Sequence, residues 1–138
     1  MVRSAELEAA YRRADYCVAL GGGELVLRIG VHETAADARL RAEAGVRASW
    51  AIVTPCNPRS DIGAGNAAAL ERFALELQAR GWPQLRSVNR DPAGDWPDEP
   101  GALLIDIALP AAIGLGRLFD QNAIVAGELG RAPRLVWL

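Results

Sequence analysis

At 138 residues, 51% of them hydrophobic and 23% charged, the chain has the length and composition of one globular domain able to bury roughly 70% of its unfolded surface, and it lacks the composition of a disordered segment. Its formal net charge is -2, with every basic residue an Arg and acidic residues scattered among them, so no general nucleic-acid affinity is expected. No apolar run approaches the ~20 residues of a membrane span, the first residues lack a basic-then-apolar signal pattern, and the two cysteines, Cys17 and Cys56, form no C-x-x-C pair; the expectation is a cytoplasmic protein with reduced thiols and no membrane partner.

Ser4 ahead of Glu6 and Glu8 is the N-cap of a first helix ending near Ala14, because its hydroxyl accepts a free backbone N–H and acidic residues favour the positive end of a helix. Residues 16–20 and 24–29 flank Gly21-Gly22-Gly23 and predict a β-hairpin; a phosphate loop would lead into a helix instead. Thr34 with Asp37 resembles a capping box opening a helix over residues 35–44, closed by Gly45. Residues 49–54, with Trp50, Ile52 and Val53, predict a strand buried on both faces, after which Pro55 and Pro58 break the chain.

Leu70, Phe73, Ala74 and Leu77 follow i, i+3, i+4, i+7 spacing and predict a helix over residues 66–80, ended by Gly81 and Pro83. Residues 85–88 read as a strand, residues 91–100 as a polar segment whose prolines continue neither regular element, and residues 102–108 as a buried strand. Pro110 suits the first turn of a helix reaching Phe119, with Gly114 and Gly116 letting it approach the sheet closely. Residues 123–126 and 134–138 form a second hairpin around Gly127 and Gly130. The order α-β-β-α-β-α-β-β-α-β-β predicts a single α/β (α+β) domain over residues 1–138, with a mixed β-sheet and helices packed on it.

Chemistry concentrates in three polar stretches. In the first, Thr54-Pro55-Cys56-Asn57-Pro58-Arg59-Ser60 leaves a buried strand and Asn66 opens the next helix, where ligands of α/β sheets find exposed strand ends and unpaired N–H groups. The competing account is that Asn57 and Ser60 close turns while Asn66 caps the helix. In the second, Trp96 is read either as a plate for a planar ligand or as a plug pinning the long loop to the core. Phe119 is assigned to the core, and Gln121 is the better candidate for a polar contact in the third.

These stretches, completed by Trp96-Pro97-Asp98-Glu99-Pro100 and Phe119-Asp120-Gln121-Asn122-Ala123-Ile124, resemble an uncharacterised bacterial family, domain of unknown function 3293. The resemblance runs from about Tyr11 to Leu138; it implies one small bacterial domain and supplies no activity. The chain departs from the family pattern at Pro55, Cys56, Gly101 and Asp120, which argues against Cys56 as an essential nucleophile with His32, the only histidine, as base. Asn57, Pro58, Ser60, Asn66, Trp96, Glu99, Phe119 and Gln121 match.

No metal and no cofactor is expected: one His, two distant Cys and dispersed carboxylates lack ligand spacing, and Asp91, Asp95, Asp98 and Glu99 read as a solvated acidic loop. The preferred function is a binding module for a small polar or anionic ligand, held by Asn57, Arg59, Ser60, Asn66, Trp96, Glu99 and Gln121, with Arg59 pairing the anion. One alternative is a small hydrolase or nucleotide-modifying enzyme using Glu99, with Asn57 and Gln121 orienting substrate. Another is a protein-interaction domain or homo-oligomer joined through the edge strand ending Leu135-Val136-Trp137-Leu138. The ligand reading expects Asn57, Glu99 and Gln121 within about 10 Å, in a pocket of order 300 Å³ or more.

Overall fold

In the computed structural model, which describes residues 4–63 and 65–138, the elements follow in the order read from the sequence: α1 (Ala5–Arg13), β1 (Asp15–Leu20), β2 (Gly23–Leu27), α2 (Thr34–Ala44), β3 (Ser49–Val53), α3 (Asn66–Arg80), β4 (Gln84–Arg90), β5 (Glu99–Ile105), α4 (Leu109–Leu118), β6 (Ala123–Glu128) and β7 (Arg134–Trp137). Ser4 caps α1 as expected, its hydroxyl accepting Leu7 N–H at 3.0 Å. The capping box does not form at α2. Glu33 stands at the cap without a side-chain bond, because Asp37 turns instead to His32 at 2.8 Å and to the Gly130 N–H at 2.8 Å.

The strands form one seven-stranded sheet in the order β2-β1-β4-β5-β3-β6-β7. Helices pack on it as expected, but every adjacent pair is antiparallel, so the parallel pairing that a mixed sheet implies does not occur among the described residues. The reason lies in the crossovers. The connections β3-α3-β4 and β5-α4-β6 each join strands that run the same way, yet another strand lies between the two in each case. From β3 to β6 this is the split βαβ, ferredoxin-like arrangement, with the β1–β2 hairpin added outside β4 and β7 added outside β6.

Strand β3 divides the core. Trp50 and Ile52 face a cluster with Tyr16, Val18, Ala36, Leu40 and Leu103, on the side of α1 and α2; Ala51 and Val53 face Phe73, Leu77, Leu104, Ala112 and Leu115, on the side of α3 and α4. Both faces are covered, which is why residues 49–54 read as a continuous apolar run. Close approach is needed where Trp50 lies flat over its cross-strand partner Gly127, filling the space of a Cβ. It is also needed at Gly116, where a Cβ would meet Leu138 and Ile124; Gly114 faces open space.

Several strand boundaries differ from expectation, among them both ends of β5. The strand begins at Glu99, because residues 99 and 100 complete an antiparallel ladder with Asn89 and Val88 of β4; Pro100 is exposed there, at a position tolerant of a missing N–H. It stops at Ile105, because Asp106 adopts a left-handed backbone, φ 51°. The edge strand β7 packs its Trp137 against Tyr11 of α1, ring centroids 5.6 Å apart and nearly perpendicular. Among the described residues no helix is long and apolar enough to cross a membrane.

Candidate functional site

Antiparallel pairing places the C-terminal ends of β3 and β4 beside the starts of β1, β5 and β6. The Asn57–Asn66 segment, the 91–98 loop and the 119–122 loop therefore all emerge at one end of the sheet. Helix α1 lies over that end, held there by the Tyr16 hydroxyl, which donates to Tyr11 O at 2.7 Å.

The first loop is held in an unusual shape. Asn57, Arg59 and Ser60 have φ of 48°, 55° and 60°, a left-handed backbone costing roughly 1–2 kcal/mol for an ordinary residue. Surrounding groups fix it. The Arg59 N–H donates to Asp120 O at 2.7 Å, the Asn122 amide to Ser60 Oγ at 2.7 Å, and the Gln121 amide to Cys56 O at 3.0 Å. The loop after α4 thus grips the loop after β3 from outside.

Asn57 is the hub. It is 2% exposed, its N–H donates to Asn66 Oδ1 and its Oδ1 accepts from Asn66 Nδ2, both at 2.9 Å. Its own Nδ2 donates to Glu99 Oε2 at 2.8 Å. Neither asparagine side chain closes a turn or caps a helix: Asn57 opens the 58–60 turn only through its C=O, which accepts the Ser60 N–H at 2.9 Å, and at α3 Gly65 is the N-cap and no side chain bonds there. A reciprocal amide pair ties the two ends of the segment and aims the remaining donor at the carboxylate.

Glu99, 9% exposed, receives this bond and one from the Trp96 side chain. Burial pushes its carboxyl above the ordinary range, and the two donors lower it only in part. No cation pairs with Glu99 among the described residues. Its cross-strand neighbour is Asn89, whose own neighbour on β1 is Tyr16; side chains so paired share one face of the sheet. Asn89 Oδ1 is buried without a hydrogen-bond partner among the described residues.

Asn57, Ser60, Trp96, Glu99 and Gln121 line one cleft together with Tyr11, Tyr16 and Asn89. Its inner free space is about 50 Å³, opening to about 540 Å³ once the solvent-facing mouth is counted. The inner space falls short of the expected pocket, on the order of 300 Å³. Arg59 is exposed and does not line the cleft; Asn66 sits behind Asn57. Tyr11, Tyr16 and Asn89 are the functional candidates that sequence reasoning missed. One signal was present: Ser87 and Asn89 follow Leu85 at i+2 and i+4 of β4, so they share its inward face.

The other candidates separate. Cys56 is buried, its thiol raised by desolvation and set 3.7 Å from Pro100 O, while His32 belongs to the Asp37 contact at α2. Asp91 organises its loop, accepting the N–H groups of Ala93, Asp95 and Trp96 at 3.0–3.1 Å. No group of three or more His, Cys, Asp or Glu side chains is arranged to hold a metal among the described residues.

No curated protein and no solved structure matches the chain. A family model described as a protein of unknown function (DUF3293) matches residues 53–124, a narrower span than the resemblance suggested, yet one holding Asn57, Asn66, Trp96, Glu99 and Gln121. That match covers just over half of the 138 residues, and the chain belongs to the DUF3293 family.

Proposed function

We propose that this domain binds a small polar ligand in the cleft beneath α1 and Trp96. One observation carries the reading: Glu99, a buried carboxylate with no cationic partner among the described residues, stands beside the unpartnered Asn89 Oδ1 at the base of that cleft. Buried charges ordinarily pair, and buried polar atoms ordinarily find a hydrogen bond. A ligand supplying the missing partners accounts for both. The anionic half of the expectation loses its main support, because Arg59 lies outside the cleft. Two unpaired thiols, Cys17 and Cys56, fit a reducing compartment such as the cytoplasm.

The experiment is a ligand-observed NMR screen of small polar fragments, with binders mapped by ¹⁵N spectra. Perturbation centred on the Trp96 indole and Gln121 side-chain amide, lost in Trp96→Ala, supports the reading. Binders that map only to other surfaces, or a screen without binders, sink it. A raised carboxyl in a cleft also favours a second reading, in which Glu99 acts as acid or base on a bound substrate. Chemical conversion of a mapped binder by wild type and not by Glu99→Gln separates the enzyme from the binding module.

A further inference from the structure

We propose that the cleft takes an organic ammonium head group, with Glu99 and Asn89 Oδ1 accepting its N–H donors and Tyr11, Tyr16 and Trp96 walling it. This rests on the reading of the cleft as a ligand site and names the chemistry of the ligand.

Most of the cleft's side-chain donors are spent within the protein. Asn57 Nδ2 serves Glu99, Gln121 Nε2 serves Cys56 O and Phe119 O, and the Arg90 guanidinium pairs with Glu24 at 3.0 Å and Asp98 at 3.5 Å. Acceptors remain: Asn89 Oδ1 has no partner among the described residues, and a carboxylate accepts more bonds than the two Glu99 receives. The register places these two acceptors side by side, Asn89 opposite Glu99. A ligand complementary to this surface donates hydrogen bonds.

Charge and shape narrow the class. A cation supplies Glu99 with the opposite charge that buried carboxylates require, whereas an anion would face Glu99 and Asn89 Oδ1 together. Tyr11, Tyr16 and Trp96 line the same space, and aromatic faces attract ammonium groups, most strongly where water is displaced. About 50 Å³ of inner space suits a head group, its alkyl tail leaving through the mouth. Asp91, also on the lining, has both carboxylate oxygens occupied by loop N–H groups.

The test follows the Trp96 indole resonance, assigned with Trp96→Phe, during titrations of n-butylammonium, 1-butanol and sodium butyrate at equal ionic strength. Butylammonium alone is expected to shift it, with affinity falling on the order of tenfold or more in Glu99→Gln. Binding to wild type should tighten as the pH rises above the ordinary value of 4.5 and Glu99, raised by burial, ionises, and this dependence should vanish in Glu99→Gln. Tyr11 and Tyr16, raised by burial, stay neutral throughout, and Arg90 and Asp91 are common to both proteins. If Glu99→Gln does not fold, the wild-type pH dependence and Asn89→Leu, also expected to weaken binding, decide the matter. Equal or stronger shifts with butanol or butyrate would keep the cleft as a ligand site and overturn the ammonium. No shift with any of the three overturns both.

Discussion

Strand β5 carries a carboxylate at each end, and the two are held in opposite ways. At the far end Asp106, exposed and left-handed, accepts N–H groups from Arg47, Ala48 and Ser49 at 2.8–3.1 Å. Its partial desolvation works to raise the carboxyl, but those backbone donors outweigh it and hold it below the ordinary range. At the near end Glu99 is buried, has only side-chain donors, and is raised. Asp106 closes a strand and stabilises the fold. Glu99 is a carboxylate that the fold tolerates, and that contrast is what directs attention to the cleft.

The largest effect should come from the hub that ties Glu99 in place. Asn57→Ala removes two side-chain hydrogen bonds, one to Glu99 and one from Asn66, keeps the bond from its backbone N–H to Asn66 Oδ1, and forces alanine into φ 48°, for a loss of about 3 kcal/mol. Chemical denaturation measures it. A loss below about 1 kcal/mol would mean the Asn57–Asn66–Glu99 network is no more than a set of turn contacts. Asp106→Ala should follow at about 2 kcal/mol, since it deletes a carboxylate staple on backbone N–H groups and a residue type tolerant of left-handed geometry.

The pH dependence of the two ends should carry opposite signs. Asp106 is lowered from 3.8, so its contribution is complete above that value and is lost as pH falls through the folded pKa. Glu99 is raised from 4.5, so its contribution is complete below that value and is lost as pH rises through the folded pKa. At neutral pH, Glu99→Gln should therefore melt above wild type, its Oε1 still able to accept from Asn57, while Asp106→Asn melts below. Both gaps should narrow as the solution is acidified. Thermal melts across pH check this; two variants shifting in the same direction would break the contrast between the ends of β5.

How much of this the sequence disclosed depends on the range of the interaction. Element order was legible because caps, glycine stops and periodicity are local. Even so, α3 buries Ala69, Phe73 and Leu77 while Ala74 is exposed, a stripe rotated from the expected one. Convergence of Asn57, Glu99 and Gln121 was legible from their places at element ends. Their partners were not: Asn57 and Asn66 read individually as a turn and a cap, and only tertiary packing makes them bond each other. Tyr11 and Asn89 were hidden for a related reason: a short helix does not disclose what it covers, and a strand assigned as ending at Val88 cut short the inward polar pattern of Ser87 and Asn89.

The smallest effect, at Arg59, sharpens the border of the cleft. Arg59 has the same left-handed backbone as its neighbours, φ 55°, but its side chain is exposed and outside the cleft; only its N–H is engaged, by Asp120 O at 2.7 Å. Glycine keeps that N–H and adopts the conformation without steric cost, though it adds freedom to the unfolded chain. The two terms oppose, so Arg59→Gly should leave stability unchanged or raise it by up to about 1 kcal/mol. Ser60→Gly, at φ 60°, gains the same relief yet loses the bond from Asn122 and the hydroxyl contact with Tyr11 at 3.4 Å, and should be destabilised. If Arg59→Gly also weakens binding of a cleft ligand, the guanidinium reaches the mouth and the border lies further out than the lining residues place it. Unchanged binding with unchanged or higher stability leaves Arg59 as a turn residue, and Ser60 as the last side chain of the loop that belongs to the cleft.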